Sequence, residues 1–167
     1  YDLVFEKRFT QYPAFRPEAE PATVKAAVDE LVKAAKPIIV AGGGAVSSGA
    51  GAEIIKLAEM LQIPIATSLH ARALVPDAHP LAVGVPGSYS RWCANKAVAA
   101  ADLVFFIGSH TGGQVTNGWQ IPKIGTRTMS SERRMVVSMR KRSPLRRLRA
   151  TVATPVCSSF DFLLDSP

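Results

Sequence analysis

The sequence predicts an α/β fold: a three-layer, Rossmann-like domain with a mainly parallel sheet and helices on both faces. Two observations carry this. Short runs at 38–41, 63–67 and 103–107, apolar but for Thr67, have the β-branched content of strands buried on both sides. Segments of helical period lie between them, the alternation expected of parallel strands joined by helices. The 167 residues are 47% hydrophobic and 20% charged, which suits one domain with a real core and excludes a wholly disordered chain. No run nears the length of a membrane span, and no signal peptide is read at the start. Two cysteines, Cys93 and Cys157, make neither a disulfide framework nor a zinc site, so a reduced, cytoplasmic setting is expected.

Residues 1–21 are punctuated by Pro13, Pro17 and Pro21 and read as a linker. Thr23 is expected to cap a helix that closes near Lys36, with Val24, Ala27, Val28, Leu31 and Val32 on its buried face. Pro37 stops that helix and opens the first strand. Gly42-Gly43-Gly44 forms a turn, and a second helix is expected over 48–61, with Ile54, Ile55, Leu57, Ala58 and Leu61 apolar. The strand at 63–67 follows, then a loop containing Pro76, Pro80 and Pro86. A third helix over 89–101 leads into the strand at 103–107, which ends at Gly108.

In such sheets ligands sit beyond the carboxyl ends of the strands, here residues 42–46, 68–71, 84–88 and 108–114. The glycine turn either admits a phosphate or serves close packing. It departs from the dinucleotide fingerprint, because Ser47 stands at the third glycine and no carboxylate ends the second strand. His110 lies in a small polar loop without an acidic neighbour and reads as a surface histidine; His70 and His79 read as structural or solvated. Arg91, near a helix start, either holds an anion or is solvated. Cys93 reads as a small core residue, and Trp92 and Trp119 are expected to pack against the sheet rather than stack on a ligand. Three scattered histidines do not make a metal site, and no nucleophile elbow is present. These residues specify a ligand crevice and no reaction.

Three segments carry a wider pattern: Ala-Lys-Pro-Ile-Ile-Val-Ala-Gly-Gly-Gly-Ala at 35–45, Leu-Ala-Glu-Met-Leu-Gln-Ile-Pro-Ile-Ala-Thr-Ser at 57–68, and Ala-Asp-Leu-Val-Phe-Phe-Ile-Gly-Ser at 101–109. Together with His-Pro-Leu-Ala-Val-Gly at 79–84, they resemble the central domain of thiamine-diphosphate-dependent enzymes, in the acetolactate-synthase-like branch. The resemblance spans roughly residues 13–127 and makes 22–127 an incomplete central domain. It implies a parent enzyme that joins or cleaves 2-oxo acids with thiamine diphosphate and magnesium held by two other domains. One of those supplies an activating glutamate and the other a Gly-Asp-Gly motif, which this sequence lacks. The chain is therefore expected to be non-catalytic alone, with other domains or subunits as partners and a homodimer as a further expectation.

Some members of the family hold FAD in this domain. The resemblance carries those contacts to Gly42, Gly43, Gly44, Ser68, Leu69, His70 and Gly87, and to a segment beginning Gly108, Ser109 and His110. In that last segment the FAD-binding pattern has Arg and Asp residues where this chain has His110, Gly112 and Gln114, which argues against FAD. The alternative reading is a free-standing module that holds a nucleotide or small anion at the strand ends.

The charge is unevenly divided. Residues 1–127 carry 12 Lys and Arg against 10 Asp and Glu, whereas 128–167 carry 8 against 3. This basic tail lacks aromatic interleaving, so nucleic acid is not the expected partner. A change of reading frame near residue 128 accounts for it better. Val152-Ala153-Thr154-Pro155 can be back-translated so that dropping two bases gives Gly-Asp-Ala-Arg, a sequence found near this point in the family it resembles. Met135-Val136-Val137 is expected to supply an edge strand in place of the lost one.

Overall fold

The computed structural model describes residues 19–130, together with Val4, Glu6, Lys7 and Thr10. Most of the linker, the bulk of the basic tail and the expected strand at Met135-Val136-Val137 lie outside the described residues.

The elements follow in the order α1 (Pro21–Lys33), β1 (Pro37–Ala41), α2 (Gly43–Ser47), α3 (Gly51–Leu61), β2 (Ile65–Thr67), a 3-10 segment (Leu69–Leu74), β3 (Ala82–Gly84), α4 (Trp92–Ala100), β4 (Leu103–Ile107) and β5 (Arg127–Ser130). Five parallel strands form one sheet in the order β3-β2-β1-β4-β5. The order reverses between β1 and β4, which places the switch point beside the glycine turn. β5 continues across the 127/128 boundary and pairs Leu103 with Arg127 through Phe106 with Ser130.

Alternation along the central strands splits the core in two, as a strand's period of two requires. Ile39, Ala41, Ile65 and Leu103 pack with Leu31 of α1 and Ile54 and Ala58 of α3. Ile38, Val40, Ala66, Val104 and Phe106 pack on the other face with Val98 of α4. Helices on both faces give the three layers that the apolar runs predict.

The α1 expectation is corrected in two ways. Glu20 is the N-cap and Pro21 occupies the first turn, where its missing N–H costs nothing; the Thr23 hydroxyl instead donates to the Glu20 carboxylate at 3.0 Å. Only Leu31 is buried on this helix. Val24, Val28 and Val32 are 47%, 45% and 67% exposed, so the valine stripe looks outward beside the face that meets the sheet.

The helix expected over 48–61 begins later, as α3 at Gly51, and the expected glycine turn instead runs into a separate short helix, α2 at Gly43–Ser47. Gly49 adopts φ +71° between α2 and α3, a conformation that ends a helix. The proline-rich loop also contains structure: the 3-10 segment and β3, both too short to show a period. The starts of β1, β4 and β5 are tied by Asp102. Its carboxylate accepts the Ala35 and Lys36 amides at 2.8 and 2.9 Å, and its carbonyl accepts the Arg127 amide at 3.2 Å. Arg127 then donates to the Glu30 carboxylate of α1 at 2.6 Å. Among the described residues no helix is long and apolar enough to cross a membrane.

Candidate functional site

At the β1/β4 switch point the glycine turn packs on the end of β4. The Gly42 amide donates to the Ile107 carbonyl at 2.9 Å, and the Gly44 amide donates to the Gly108 carbonyl at 2.8 Å. A Cβ on Gly42 would collide with Gly108 and Ser109, and one on Gly108, at φ +56°, would collide with Ala45 and Gly44. These glycines are required because two backbones meet. Their amides face β4 carbonyls and are not offered to a ligand. Gly43 differs: a Cβ there would meet only His70 Cβ, at 3.4 Å.

Ser109 is 1% exposed, and its hydroxyl has no hydrogen-bond partner among the described residues. His110 is exposed beside Gly112. Gly108 and Ser109 therefore belong to the packed junction, whereas His110 stands at its exposed margin. Ser68, Leu69 and His70 do come together with Val85, Pro86, Gln114 and Val115 around a cavity of about 20 Å³. Gly87 borders that group: it sits at φ +103° against Gln114, and the Asn95 side chain holds it, accepting its amide at 2.7 Å and donating to its carbonyl at 3.1 Å.

A larger cavity, about 150 Å³, opens at the carboxyl ends of β2 and β3. Arg72, Asp77, Tyr89, Ser90 and Arg91 line it. Nη2 of each arginine lies 3.8 Å from the same Asp77 oxygen. The sequence drew attention to Arg91 alone. Its companions follow different strands, and nothing short of the β2–β3 pairing brings them together.

The remaining candidates have structural roles. His79 accepts the Leu81 amide on Nδ1 and meets the Glu59 carboxylate through Nε2, both at 3.2 Å. Cys93 is half-buried and its thiol contacts the Val83 carbonyl at 3.5 Å. The expected packing of the tryptophans is corrected: Trp92 and Trp119 are 70% and 69% exposed. Trp92 carries Lys96 Nζ 3.5 Å above its ring, a cation–π contact within its own helix.

Residues 24–158 match the family model for the thiamine pyrophosphate enzyme central domain. The chain is 36% identical over 106 residues to the "Probable acetolactate synthase large subunit" of Methanocaldococcus jannaschii, covering 62% of this chain and 18% of that protein. It is 33% identical over 120 residues to the glyoxylate carboligase of Escherichia coli O157:H7, covering 67% and 20%. It is 32% identical over 108 residues to an acetolactate synthase of Mycobacterium bovis, covering 64% and 18%. The chain thus spans about a fifth of the length of these relatives.

Proposed function

Because the chain belongs to the family of thiamine pyrophosphate enzyme central domains, we propose that it is the scaffold domain of an acetolactate-synthase-like carboligase or decarboxylase acting on 2-oxo acids. The chemistry then belongs to neighbouring domains, and this one fixes their spacing. The observation that carries the reading is the sealed switch point: the Gly42 and Gly44 amides donate to Ile107 and Gly108. A Rossmann-like crevice that binds phosphate presents such amides outward.

The residues present do not fit magnesium-held thiamine diphosphate. Among the described residues no three His, Cys, Asp or Glu side chains group to hold a metal ion, and the sequence has no Gly-Asp-Gly. Nor do they fit FAD. The space beside Ser68, Leu69 and His70 is about 20 Å³, on the order of what one water needs, and residues 108–115 contain no Arg or Asp. The outward valines of α1 suit a partner domain, and the outer edges of β3 and β5, unpaired among the described residues, suit a second copy. A reduced thiol at Cys93 suits the cytoplasm.

Thermal denaturation of the purified chain tests the reading. In saturating inorganic phosphate, which occupies any simple anion site beforehand, thiamine diphosphate with magnesium, FAD and ADP should each leave the melting temperature unchanged, since only a ligand of the native state raises it. A saturable rise with any of them would overturn the scaffold assignment and favour a free-standing nucleotide-binding module. Sedimentation velocity reads the second copy directly; a monomer at all concentrations removes it.

We assign residues 1–21 to a linker, 22–127 to the central domain and 128–167 to a product of altered reading frame, a boundary that β5 overruns to Ser130 and the family match to residue 158. Sequencing the gene decides the last point. One of the other two frames should encode an apolar strand followed by Gly-Asp-Ala-Arg; neither doing so would sink the idea.

A further inference from the structure

The cavity at the ends of β2 and β3 has a charge arrangement that scaffolding does not use. Arg72 comes from the 3-10 segment after β2, and Arg91 is the residue preceding α4. Asp77 stands between them at 3.8 Å from each guanidinium. That separation exceeds the roughly 2.7–2.9 Å of a charge-assisted hydrogen bond. The carboxylate therefore offsets one of the two positive charges without engaging the planar forks. Two guanidiniums carry ten N–H donors between them, so most of those donors have no acceptor in the cluster.

The surroundings shape the side of the cavity that Arg91 and Ser90 line. Gly84 adopts φ +90°, and a Cβ there would come within 3.0 Å of Arg91 Cδ; the strand end is cut away where the arginine stem crosses it. Ser90 Oγ accepts a hydrogen bond from Asn95 Nδ2 at 2.7 Å, which leaves the hydroxyl proton free to donate. The first amides of α4 lie next to Arg91 and add the positive end of a nine-residue helix. The volume of about 150 Å³ is below the roughly 300–1,000 Å³ of a site for a drug-sized ligand. It suits a single tetrahedral oxyanion.

We propose that Arg72 and Arg91, with Ser90, form a binding site for a phosphate-type dianion at the carboxyl ends of β2 and β3, with Asp77 as a built-in competitor for the same guanidiniums. The source is inorganic phosphate or the phosphate of a small phosphorylated molecule. The chemistry is shared: paired guanidinium forks match tetrahedral oxygens. This site lies away from the sealed β1/β4 crevice, so it stands or falls separately from the scaffold reading.

The test is an amide-resolved NMR titration of the full chain with inorganic phosphate, at constant ionic strength. Saturable shifts are expected at Ser90, Trp92 and Cys93. Arg72→Gln and Arg91→Gln should each weaken binding about tenfold, in line with the loss of one charge-assisted contact. Asp77→Asn should tighten it severalfold by removing the like charge. All three side chains are more than half exposed, so the variants should keep the wild-type melting temperature. Glycerol phosphate binding more tightly than inorganic phosphate would identify a phosphorylated molecule as the source; the reverse order would identify the free anion. Unchanged affinity in both arginine variants would overturn the site and assign phosphate to the basic tail. So would weaker binding by Asp77→Asn, or equal affinity for acetate, which would make this a general carboxylate site.

Discussion

The Gly44 amide donates to the Gly108 carbonyl at 2.8 Å, and neither residue can carry a side chain where it stands. The two loops that end β1 and β4 are in backbone contact, so the crevice usually open at a switch point is filled by the protein itself. Substitutions there should follow a graded order. Gly108→Ala combines a positive φ with a collision against Gly44 and Ala45, and should cost at least about 2 kcal/mol. Gly49→Ala has a positive φ but open space, and should cost about 1 kcal/mol. Gly43→Ala meets only His70 Cβ and should change stability by less than about 0.5 kcal/mol. Urea denaturation reads all three, and a tolerated Gly108→Ala would contradict the sealed junction.

Ser109 buries a hydroxyl that has no partner among the described residues. An unmet buried polar group costs about 1–3 kcal/mol, so Ser109→Ala should be neutral or should stabilise the chain by about 1 kcal/mol. A clear loss of stability would mean that the hydroxyl has a partner after all.

Asp102 is the common fastening of three strand starts. Asp102→Ala removes the acceptor of the Ala35 and Lys36 amides and should cost about 1–2 kcal/mol, the group being partly solvated. Asp102→Asn keeps one acceptor oxygen and should cost less. Hydrogen exchange should show the Ala35 and Lys36 amides deprotected in the alanine variant before those of the central strands.

The outward valines of α1 separate two readings of one helix. Leu31→Ala should cost about 2–4 kcal/mol, because Leu31 is 3% exposed in the core. Val28→Ser, at 45% exposure, should cost less than about 1 kcal/mol. Equal costs would show that the valine stripe is packed in the isolated chain, leaving no free face for a partner domain.

Arg127 and Glu30 join β5 to α1 across 97 residues of sequence. Both are partly exposed, so a double-mutant cycle with alanine should return a coupling of about 0.5–1 kcal/mol. A coupling near zero would leave β5 held by its ladder and by Asp102, whose carboxylate lies 3.8 Å from Arg127 Nη2.

Much of this molecule is legible in the sequence. The runs at 38–41 and 103–107 are apolar at every position because both faces of the sheet are covered, and that pattern fixes strand type and layer count. Pro37, Gly42 and Gly108 mark strand limits through backbone geometry, which is local. The resemblance at 35–45, 57–68 and 101–109 rests on the same stretches and leads to the family. What is lost is whatever falls below one period: β3 has three residues, α2 five, and neither can show alternation or a helical stripe.

Tertiary structure alone decided the roles of the polar and glycine residues. Gly42 and Gly44 are consistent with phosphate binding or with packing until β4 is placed beside β1, because an amide's partner is set by the neighbouring strand. Val24, Val28 and Val32 look like a core face until the sheet selects Leu31 instead. Arg72, Asp77 and Arg91 are unremarkable surface charges in one dimension. They become a cluster only because parallel pairing of β2 and β3 brings the ends of both strands to the same side, and charge acts through distance in space, not along the chain.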